Sequence, residues 1–167
     1  MEIKIKKLHE NAVIPKYSKN GDGALDLTAT SKEYDSDGNV VFGVGLAFEK
    51  PKGYAGLLFP RSSNAKKDLL LSNSVGVLDS GYRGEVMFKF KSTLNSQESE
   101  IKTVTDYEYE YTYISNSNPE YHFKNTYEIG DRIGQIIILP YPQIEFKEVE
   151  ELTETERGQG GYGSTGN

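Results

Sequence analysis

Residues Asn73–Val86 have the sequence NSVGVLDSGYRGEV, in which two short apolar segments flank a tight turn. Asp79, Ser80 and Gly81 form that turn, and all three residue types favour turns over strands or helices. The same alternation recurs along the chain, where "SKNGDG", "DSDGN" and "EKPKG" separate further short apolar segments. We therefore predict an all-β fold of the sandwich or barrel type, rather than alternating strands and helices.

The strand signal can be assigned to particular segments. One stretch, Ser62–Leu70, favours a short helix with Ser62 or Ser63 as its N-cap. The predicted strands are residues 2–7, 39–48, 54–59, 74–78, 84–91, 101–114 and 132–139.

Four tyrosines at alternate positions give the strongest strand signal, within "TDYEYEYTYI". This spacing places Tyr107, Tyr109, Tyr111 and Tyr113 on one face and glutamate or threonine on the other. A half-buried hairpin with an acidic outer face is the preferred interpretation. An aromatic surface for a partner or a nucleic acid is the alternative, although the glutamates would repel phosphates.

Composition excludes several classes of function. The 167 residues carry a formal charge of -6, which argues against binding along a nucleic-acid backbone. The chain contains no cysteine, so disulfides, thiolate zinc sites and a cysteine nucleophile are excluded. No apolar run approaches the roughly 20 residues of a membrane span. We expect a cytoplasmic protein with no membrane partner.

Hydrolytic chemistry in this chain has to rest on carboxylates. His9 and His122 are the only histidines and lie far apart in sequence, which leaves little for a histidine metal cluster or a Ser-His-Asp relay. The chain ends on "ERGQGGYGSTGN" from Glu156 to Asn167, and so many glycines favour a disordered tail. The same tail contains an arginine, an aromatic ring and a Ser-Thr pair, which can hold a phosphate and stack on a base.

Four further stretches combine small residues, a charge and turn geometry: "GDGALDLTA", "FPRSSNAKK", "NSVGVLDSGYRGEV" and "GDRIGQIIILP". Each has a structural explanation, with Asp26 capping a turn, Arg61 in a surface salt bridge and "DSG" closing a hairpin. In this order, and followed by the tail, they resemble the five motifs of the trimeric dUTPase family. The resemblance covers residues 1 to about 92 and 128 to 167.

The resemblance implies an all-β, distorted jelly-roll or β-barrel subunit with one short helix and a flexible C-terminal arm. The expected domain spans residues 1–150, and residues 151–167 form the arm. It also implies hydrolysis of dUTP to dUMP and pyrophosphate with Mg²⁺, in sites shared by a homotrimer. That reaction limits uracil incorporation into DNA and supplies dUMP.

Roles follow from the resemblance, residue by residue. Asp79 would be the general base for the attacking water, and Asp26 would contact Mg²⁺ through water. Tyr82 would lie against the deoxyribose. The substrate-binding residues would be Arg61, Ser62, Ser63, Asn73, Gly76, Val77, Leu78, Tyr82, Met87, Gln135, Arg157, Tyr162, Gly163, Ser164 and Thr165.

The chain departs from the family pattern at four of these motif positions. Ala24 follows Gly23 where the family usually has the reverse order, and Ser63 replaces a common glycine. Gly134 replaces a common alanine, and Tyr162 stands where phenylalanine usually stacks on uracil. None of these changes removes a chemical group that the reaction requires.

The segment from about residue 92 to 127 is longer than the family's usual connection and includes the tyrosines. Such insertions are known in phage-encoded members, so we expect a phage or prophage source and a bacterial host cytoplasm. The segment is expected to pack on its own subunit; a host regulatory protein as its partner is the alternative.

Two rival functions stay open. A dCTP deaminase shares the fold and the Asp-x-Gly-aromatic turn, and Glu85 lies close enough to that turn to act on a cytosine ring. A non-enzymatic regulator or virion protein would use the jelly roll as a scaffold and the tyrosine-rich insertion as its interface. The complete fifth motif argues against the first rival, and the four residues Asp79, Arg61, Gln135 and Arg157 argue against the second.

Overall fold

The computed structural model describes residues 1–93, 101–106, 109–114, 123 and 125–160. These residues form twelve β-strands and one short 3₁₀ helix, Ser62–Lys66. The strands are β1 Lys4–Lys7, β2 Leu25–Thr28, β3 Glu33–Tyr34, β4 Val40–Gly43, β5 Leu46–Glu49, β6 Tyr54–Pro60, β7 Leu69–Leu71, β8 Gly76–Leu78, β9 Met87–Ser92, β10 Ile101–Asp106, β11 Tyr109–Ile114 and β12 Arg132–Pro140.

Two four-stranded antiparallel sheets form the body of the protein. One has the strand order β2-β12-β6-β8 and the other β3-β4-β9-β7, while β1 pairs with β5 and β10 pairs with β11. Both sheets contribute to one apolar core, whose fully buried side chains include Leu27, Phe42, Phe88, Phe90, Ile133 and Ile136. The prediction of an all-β jelly-roll fold with one short helix is confirmed.

The predicted strand 39–48 is two strands. A glycine divides them, because Gly45 adopts a φ of +65°, a left-handed conformation that suits glycine. A Cβ atom there would also lie 2.8 Å from the Cβ of His9. The chain therefore turns at Gly45, so that β4 pairs with β9 and β5 pairs with β1.

The Asp79 turn does not close a hairpin, which corrects that interpretation of "DSG". Strand β8 pairs with β6, whereas β9 pairs with β4 and β7 in the other sheet. On the way, Val86 exchanges backbone hydrogen bonds with residues at β5: its N–H donates to Leu46 and its carbonyl accepts from Val44. The segment from Asp79 to Val86 is thus a crossing between two sheets.

The predicted helix over Ser62–Leu70 is largely wrong. Only Ser62–Lys66 is helical, as a 3₁₀ turn, and its N-cap is Arg61, which makes no side-chain capping bond. Leu69–Leu71 instead pairs with β9 as a strand. Burial explains the difference, because Leu69 and Leu71 are buried while Leu70 is 60% exposed, which is the two-residue period of a strand.

The predicted strand 101–114 is the hairpin β10–β11, in which Asp106 lies opposite Tyr109. Tyr107 lies outside the described residues. The longer segment around this hairpin leaves and rejoins the body at one residue: the Thr93 N–H donates to the Asp68 carbonyl, and the Asp68 N–H donates to the Asn125 carbonyl. This geometry is that of a segment added to a connection between two strands of the core.

No helix among the described residues is long and apolar enough to span a lipid bilayer.

Gly134 lies where β12 passes over the core. A Cβ atom at Gly134 would overlap ring atoms of Phe88, whose side chain is 1% exposed. Phe88 in turn packs 6.2 Å from the Phe90 ring, so it has little freedom to withdraw. Glycine at this position is therefore required by the large aromatic ring beneath it, which explains the departure from the alanine common in the motif.

We predict that Gly134→Ala lowers the free energy of unfolding by about 1–3 kcal/mol, because it overpacks the core. In a protein that already carries Phe88→Leu, Gly134→Ala should cost less stability than it does in the wild-type protein, since the smaller side chain makes room for the added methyl group. Chemical denaturation at one fixed protein concentration measures both effects. Gly23→Ala is the matched control, because a Cβ there meets no atom within 4 Å. Equal stabilities of the Gly134→Ala and Gly23→Ala variants would contradict this explanation.

Candidate active site

The first cluster of candidate residues lies around the middle of the β2-β12-β6 sheet. Gln135 of β12 is directly opposite Asp26 of β2 on one side and Phe59 of β6 on the other. Arg61 follows the end of β6 and donates from Nε to Asp26 Oδ1 at 2.7 Å. The register of two strand pairs therefore joins residues that are 109 positions apart in the chain.

Asp26 holds two guanidinium groups. Besides Arg61, Arg132 donates from Nη1 to Asp26 Oδ2 at 3.0 Å. The Asp26 and Arg61 side chains are only 21% and 23% exposed, so water screens this ion pair less than an ion pair at the open surface. With two positive groups and one carboxylate, the cluster keeps a net positive charge that suits an anionic ligand. The motif pattern predicts no role for Arg132, although this residue belongs to the motif that contains Gln135.

Neutral polar groups complete this cluster. Arg61 Nη1 donates to Ser63 Oγ at 3.3 Å, and Gln135 Nε2 donates to the Pro60 carbonyl at 3.0 Å. The Ser62 side chain is exposed beside them. The serine that replaces a common glycine therefore provides a bond that orients Arg61. Guanidinium, hydroxyl and amide groups gathered in this way can bind phosphate oxygens.

The described residues contain no group of three or more His, Cys, Asp or Glu side chains that could enclose a metal ion. Both oxygens of Asp26 already accept bonds from arginines. A magnesium ion that takes most of its ligands from phosphates and water is compatible with this arrangement, because Mg²⁺ retains much of its hydration in such sites.

A second cluster surrounds a cavity of about 250 Å³ between the two sheets. This volume is below that of pockets for drug-sized ligands and suits a small ring. Gly76 allows the close packing of its wall, since a Cβ there would lie 3.0 Å from Leu58 Cβ. The lining residues are Leu58, Leu71, Ser72, Asn73, Gly76, Met87, Phe88 and Lys89.

The turn between β7 and β8 shapes the mouth of this cavity. Ser74 has a φ of 59°, which is unusual for a residue other than glycine and directs the backbone sharply back. Val77 is 62% exposed, and Leu78 is buried. Lys89 is held at the edge by Asp35 at 2.7 Å, and this pairing raises the pKa of Lys89 and lowers the pKa of Asp35.

Asp79 is exposed at the start of the crossing between the sheets. Among the described residues no group donates a hydrogen bond to its carboxylate, so the carboxylate is open to a water molecule. The turn around it is internally bonded: the Tyr82 N–H donates to the Asp79 carbonyl at 3.1 Å, and Tyr82 Oη donates to the Glu85 carbonyl at 2.9 Å. Arg83 adds bonds to the carbonyls of Ser80 and Tyr82.

The Glu85 side chain packs against neighbouring strands. Its Oε1 accepts the Gly45 N–H at 2.7 Å, and it lies so close to Gly43 that a Cβ on that glycine would be 2.5 Å from the same oxygen. The side chain is half-buried against β4 and β5. It therefore supports the Gly45 turn rather than presenting a free carboxylate to a ligand.

Asp79 and the Arg61 cluster lie near opposite ends of β6. Leu78 is paired with Gly56, and Arg61 lies five residues further along in the direction away from Asp79. At the rise of an extended strand, this separates Arg61 from the Asp79 end of β8 by about 16 Å. One chain therefore does not bring the Asp79 carboxylate next to the Arg61 cluster.

The tail residues are described only in part. Arg157 is exposed and donates from Nε to the Gly160 carbonyl at 3.1 Å, inside its own turn. The structure thus does not join Arg157 to either cluster. Tyr162, Gly163, Ser164 and Thr165 lie outside the described residues.

Comparison with known protein families gives a match over most of the chain. A family model described as dUTPase matches residues 10–106 and 114–166.

Curated relatives match over nearly their full length. A deoxyuridine 5'-triphosphate nucleotidohydrolase from Nautilia profundicola is 36% identical over 168 residues, which cover 99% of each chain. A protein with the same description from Escherichia phage T5 is 33% identical over 173 residues and 98% of each chain. The similarity therefore extends across all the motifs.

Solved structures of phage proteins have a similar fold. The dUTPase of Staphylococcus bacteriophage 80alpha with dUPNHPP is 26% identical, with a TM-score of 0.73 over 99% of each chain. It is described among phage dUTPases that control the transfer of virulence genes. The dUTPase of phage phi11 of S. aureus, described with a structural Mg(II) ion, is 25% identical, with a TM-score of 0.66 over 92% of this chain and all of that one.

Proposed function

Because the chain belongs to the dUTPase family, we propose that it hydrolyses dUTP to dUMP and pyrophosphate with magnesium, in sites shared between copies of the chain. The nucleotidohydrolase activity follows from family membership and from relatives matched along their whole length. The observation that supports a shared site is the separation of Asp79 from the Arg61 cluster along β6. Hydrolysis of dUTP limits uracil incorporation into DNA and supplies dUMP.

Asp79 is the general base in this proposal. Its exposed carboxylate takes a proton from a water molecule, and the water oxygen attacks the α-phosphorus. The bond from that phosphorus to the bridging oxygen breaks, and pyrophosphate leaves. An aspartate suits this role without a special environment, since its side chain is ordinarily ionised at neutral pH.

The cavity beside β8 is assigned to the uracil ring. Asn73 and the backbone of Gly76, Val77 and Leu78 would contact the polar edge of the base. Met87 lies on the cavity wall. Tyr82 would lie against the deoxyribose and exclude a 2′-hydroxyl group. The positive φ of Ser74 supports this assignment, because it turns the backbone sharply at the mouth of the cavity and so keeps the β7–β8 turn close to a bound ring.

The Arg61 cluster is assigned to the triphosphate. Arg61 presents a forked donor, held in orientation by Asp26 and Ser63. Ser62 and Gln135 add further polar groups. These residues neutralise and position the phosphates, and such electrostatic positioning contributes most of the catalysis in phosphoryl transfer.

Magnesium, when bound with the nucleotide, would neutralise phosphate charge and orient the phosphate oxygens. Asp26 would contact it through water. The family relative described with a structural Mg(II) ion supports the choice of metal. Asp26 thus serves two purposes, since it also orients Arg61 and Arg132.

A homotrimer with shared sites would explain why Asp79 and Arg61 lie far apart within one copy of the chain. Asp79 of one copy and Arg61 of another can approach the same nucleotide, although within a single copy the two residues are about 16 Å apart in space. The tail, with Arg157 on the phosphates and Tyr162 on the uracil face, would close over a neighbouring site. Gly163, Ser164 and Thr165 would surround the triphosphate.

The alternatives have less support. The Gly45 N–H donates a hydrogen bond to the Glu85 carboxylate and holds it against the neighbouring strands. The carboxylate is then not free to act on a cytosine ring, which disfavours the dCTP deaminase alternative. A regulatory role through residues 92–127 and a host protein is supported only by the phage relatives and their control of virulence-gene transfer. We place the enzyme in the cytoplasm, where a phage or a cell would need to remove dUTP.

The shared site is tested by mixing two inactive variants. Asp79→Asn should still bind nucleotide but lose most turnover, and Arg61→Gln should bind it poorly. When equal amounts are unfolded together and refolded, about one quarter of the sites should contain both an intact Asp79 and an intact Arg61, because each comes from a different subunit. Pyrophosphate release from dUTP measures the recovery.

Each variant refolded alone is the control for this mixing experiment. Recovery only in the mixture supports a site built from two subunits. No recovery in mixed trimers would place both residues in one chain and contradict the proposal. Unchanged turnover in Asp79→Asn would remove Asp79 from the role of base.

The tail is tested by truncation. A chain that ends at Glu156 is expected to fold and assemble normally but to lose at least about tenfold in kcat/KM for dUTP, because the closing contacts are gone. A chain that ends at Thr165 is the control and should keep nearly full activity. Full activity of the shorter chain would show that the tail has no part in catalysis.

A further inference from the structure

The 3₁₀ helix beside the Arg61 cluster is not held by packing within the described part of one chain. None of its five residues, Ser62–Lys66, is buried, and its N-cap makes no side-chain bond. The internal hydrogen bonds of 3₁₀ helices have poor geometry, and a helix this short is marginal unless its surroundings support it. The position of this helix therefore depends on hydrogen bonds to neighbouring segments.

The N-terminal end of the helix is tied to the Arg61 cluster. The Arg61 carbonyl accepts the Asn64 N–H at 2.9 Å, and the Arg61 guanidinium donates to Ser63 Oγ at 3.3 Å. A movement of the helix would displace Ser62 and Ser63 together with the backbone from which Arg61 extends. The contact between Arg61 and Asp26 would change with it.

The C-terminal end of the helix is tied to Asn125, near the end of the segment 92–127. Asn125 Nδ2 donates to the carbonyl of Lys66, the last residue of the helix. Asn125 Oδ1 accepts a bond from Lys67 Nζ at 3.2 Å, and the same Nζ donates to the Thr126 carbonyl at 2.8 Å. One carboxamide thus acts as donor and acceptor towards two consecutive residues at the helix end, which a side chain with only one of these functions cannot do.

The backbone of Asn125 makes a separate contact with the body of the protein. Its carbonyl accepts the Asp68 N–H at 3.1 Å, and the Asp68 carbonyl accepts the Thr93 N–H at 3.0 Å. A change of the Asn125 side chain therefore leaves the attachment of the segment in place. Asn64 Nδ2 also donates to the Leu69 carbonyl at 2.8 Å, so the helix would be loosened rather than released.

We propose that Asn125 is a positioning residue for the triphosphate, whose side chain holds the end of the Ser62–Lys66 helix and so keeps Ser62, Ser63 and Arg61 in place to bind phosphate oxygens. Asn125 does not touch the nucleotide. The inference rests on the proposed assignment of the Arg61 cluster to the triphosphate. It adds a residue that none of the five motifs contains.

This role predicts different effects on the two ends of the nucleotide. No residue of the helix lines the cavity of about 250 Å³ that is assigned to the uracil ring. Removal of the Asn125 side chain should therefore weaken the binding of a triphosphate and leave the binding of the base unchanged. A general loss of structure would weaken both.

The experiment compares Asn125→Ala with the wild-type full-length protein. The probes are dUMP and dUPNHPP, in which an NH group replaces the bridging oxygen of dUTP, and binding of each is measured by calorimetry with magnesium. We expect the dissociation constant for dUPNHPP to rise about threefold to tenfold, the effect of losing one or two hydrogen bonds at an exposed position. The dissociation constant for dUMP should change by less than about twofold. The value of kcat/KM for dUTP should fall in proportion to the loss of dUPNHPP binding.

Thr93→Ala is the matched control at the other end of the same segment. Thr93 is exposed and bonds to Asp68 through its backbone, which the substitution keeps. Binding of dUPNHPP and of dUMP should both be unchanged in this variant. Thermal unfolding and the size of the assembled protein are measured for every variant.

Selective loss of dUPNHPP binding in Asn125→Ala, with no loss in Thr93→Ala, supports the proposal. A folded Asn125→Ala protein that binds dUPNHPP as the wild type does would overturn it and leave the proposed function standing. An equal loss for dUPNHPP and dUMP would overturn it as well, because the effect would then be general. Failure of both Asn125→Ala and Asn125→Ser to fold would also overturn it, by making Asn125 part of the packing.

The wild-type protein separates this inference from the proposed function. If it binds dUPNHPP but does not hydrolyse dUTP, the proposed reaction is overturned and the binding comparison still decides the role of Asn125. If it binds neither ligand, the inference and the proposed function are overturned together.

Discussion

Strand β12 pairs with β2 on one side and with β6 on the other, and the rest of the site depends on that pairing. It sets Gln135 opposite Asp26 and Phe59, two residues from Arg61. Asp26 can then bind both Arg61 and Arg132. A shift of one residue in the register would turn Asp26 to the opposite face of its sheet and break both ion pairs. Gly134 keeps β12 close to the core by leaving room for Phe88.

The crossing from β8 to β9 imposes the second constraint. Because these strands belong to different sheets, the segment from Asp79 to Val86 has to bridge the edge of the core. Its internal bonds from Tyr82 and Arg83 keep it rigid while the Asp79 carboxylate stays exposed. Glu85 secures one end of the segment by accepting the Gly45 N–H. The Asp79 carboxylate is thus held by a turn near one end of β6, while the Arg61 cluster lies near the other end. This separation supports the proposal that a complete site needs a second copy of the chain.

Much of this architecture could be predicted from the sequence where a strand is long enough to show its period. Residues 54–59 and 132–139 were predicted within one residue of β6 and β12. Strands β2, β3 and β7 were missed, because two to four residues are too few for a period to be recognised. Periodicity does not identify the strand with which another strand pairs, so the sequence fits a hairpin at the Asp79 turn where the structure has a crossing between sheets. The burial of Lys50, which is 3% exposed, could not be predicted, because a single lysine next to Glu49 and Lys52 has the pattern of a solvated turn until the fold closes over it.

One assay tests the proposed reaction directly. The purified protein is given dUTP, dCTP or UTP, each with magnesium and with a chelator, and both pyrophosphate and ammonia are measured. We predict pyrophosphate from dUTP only, dependent on magnesium, and no ammonia from any nucleotide. Ammonia from dCTP, or no turnover of any nucleotide, would contradict it.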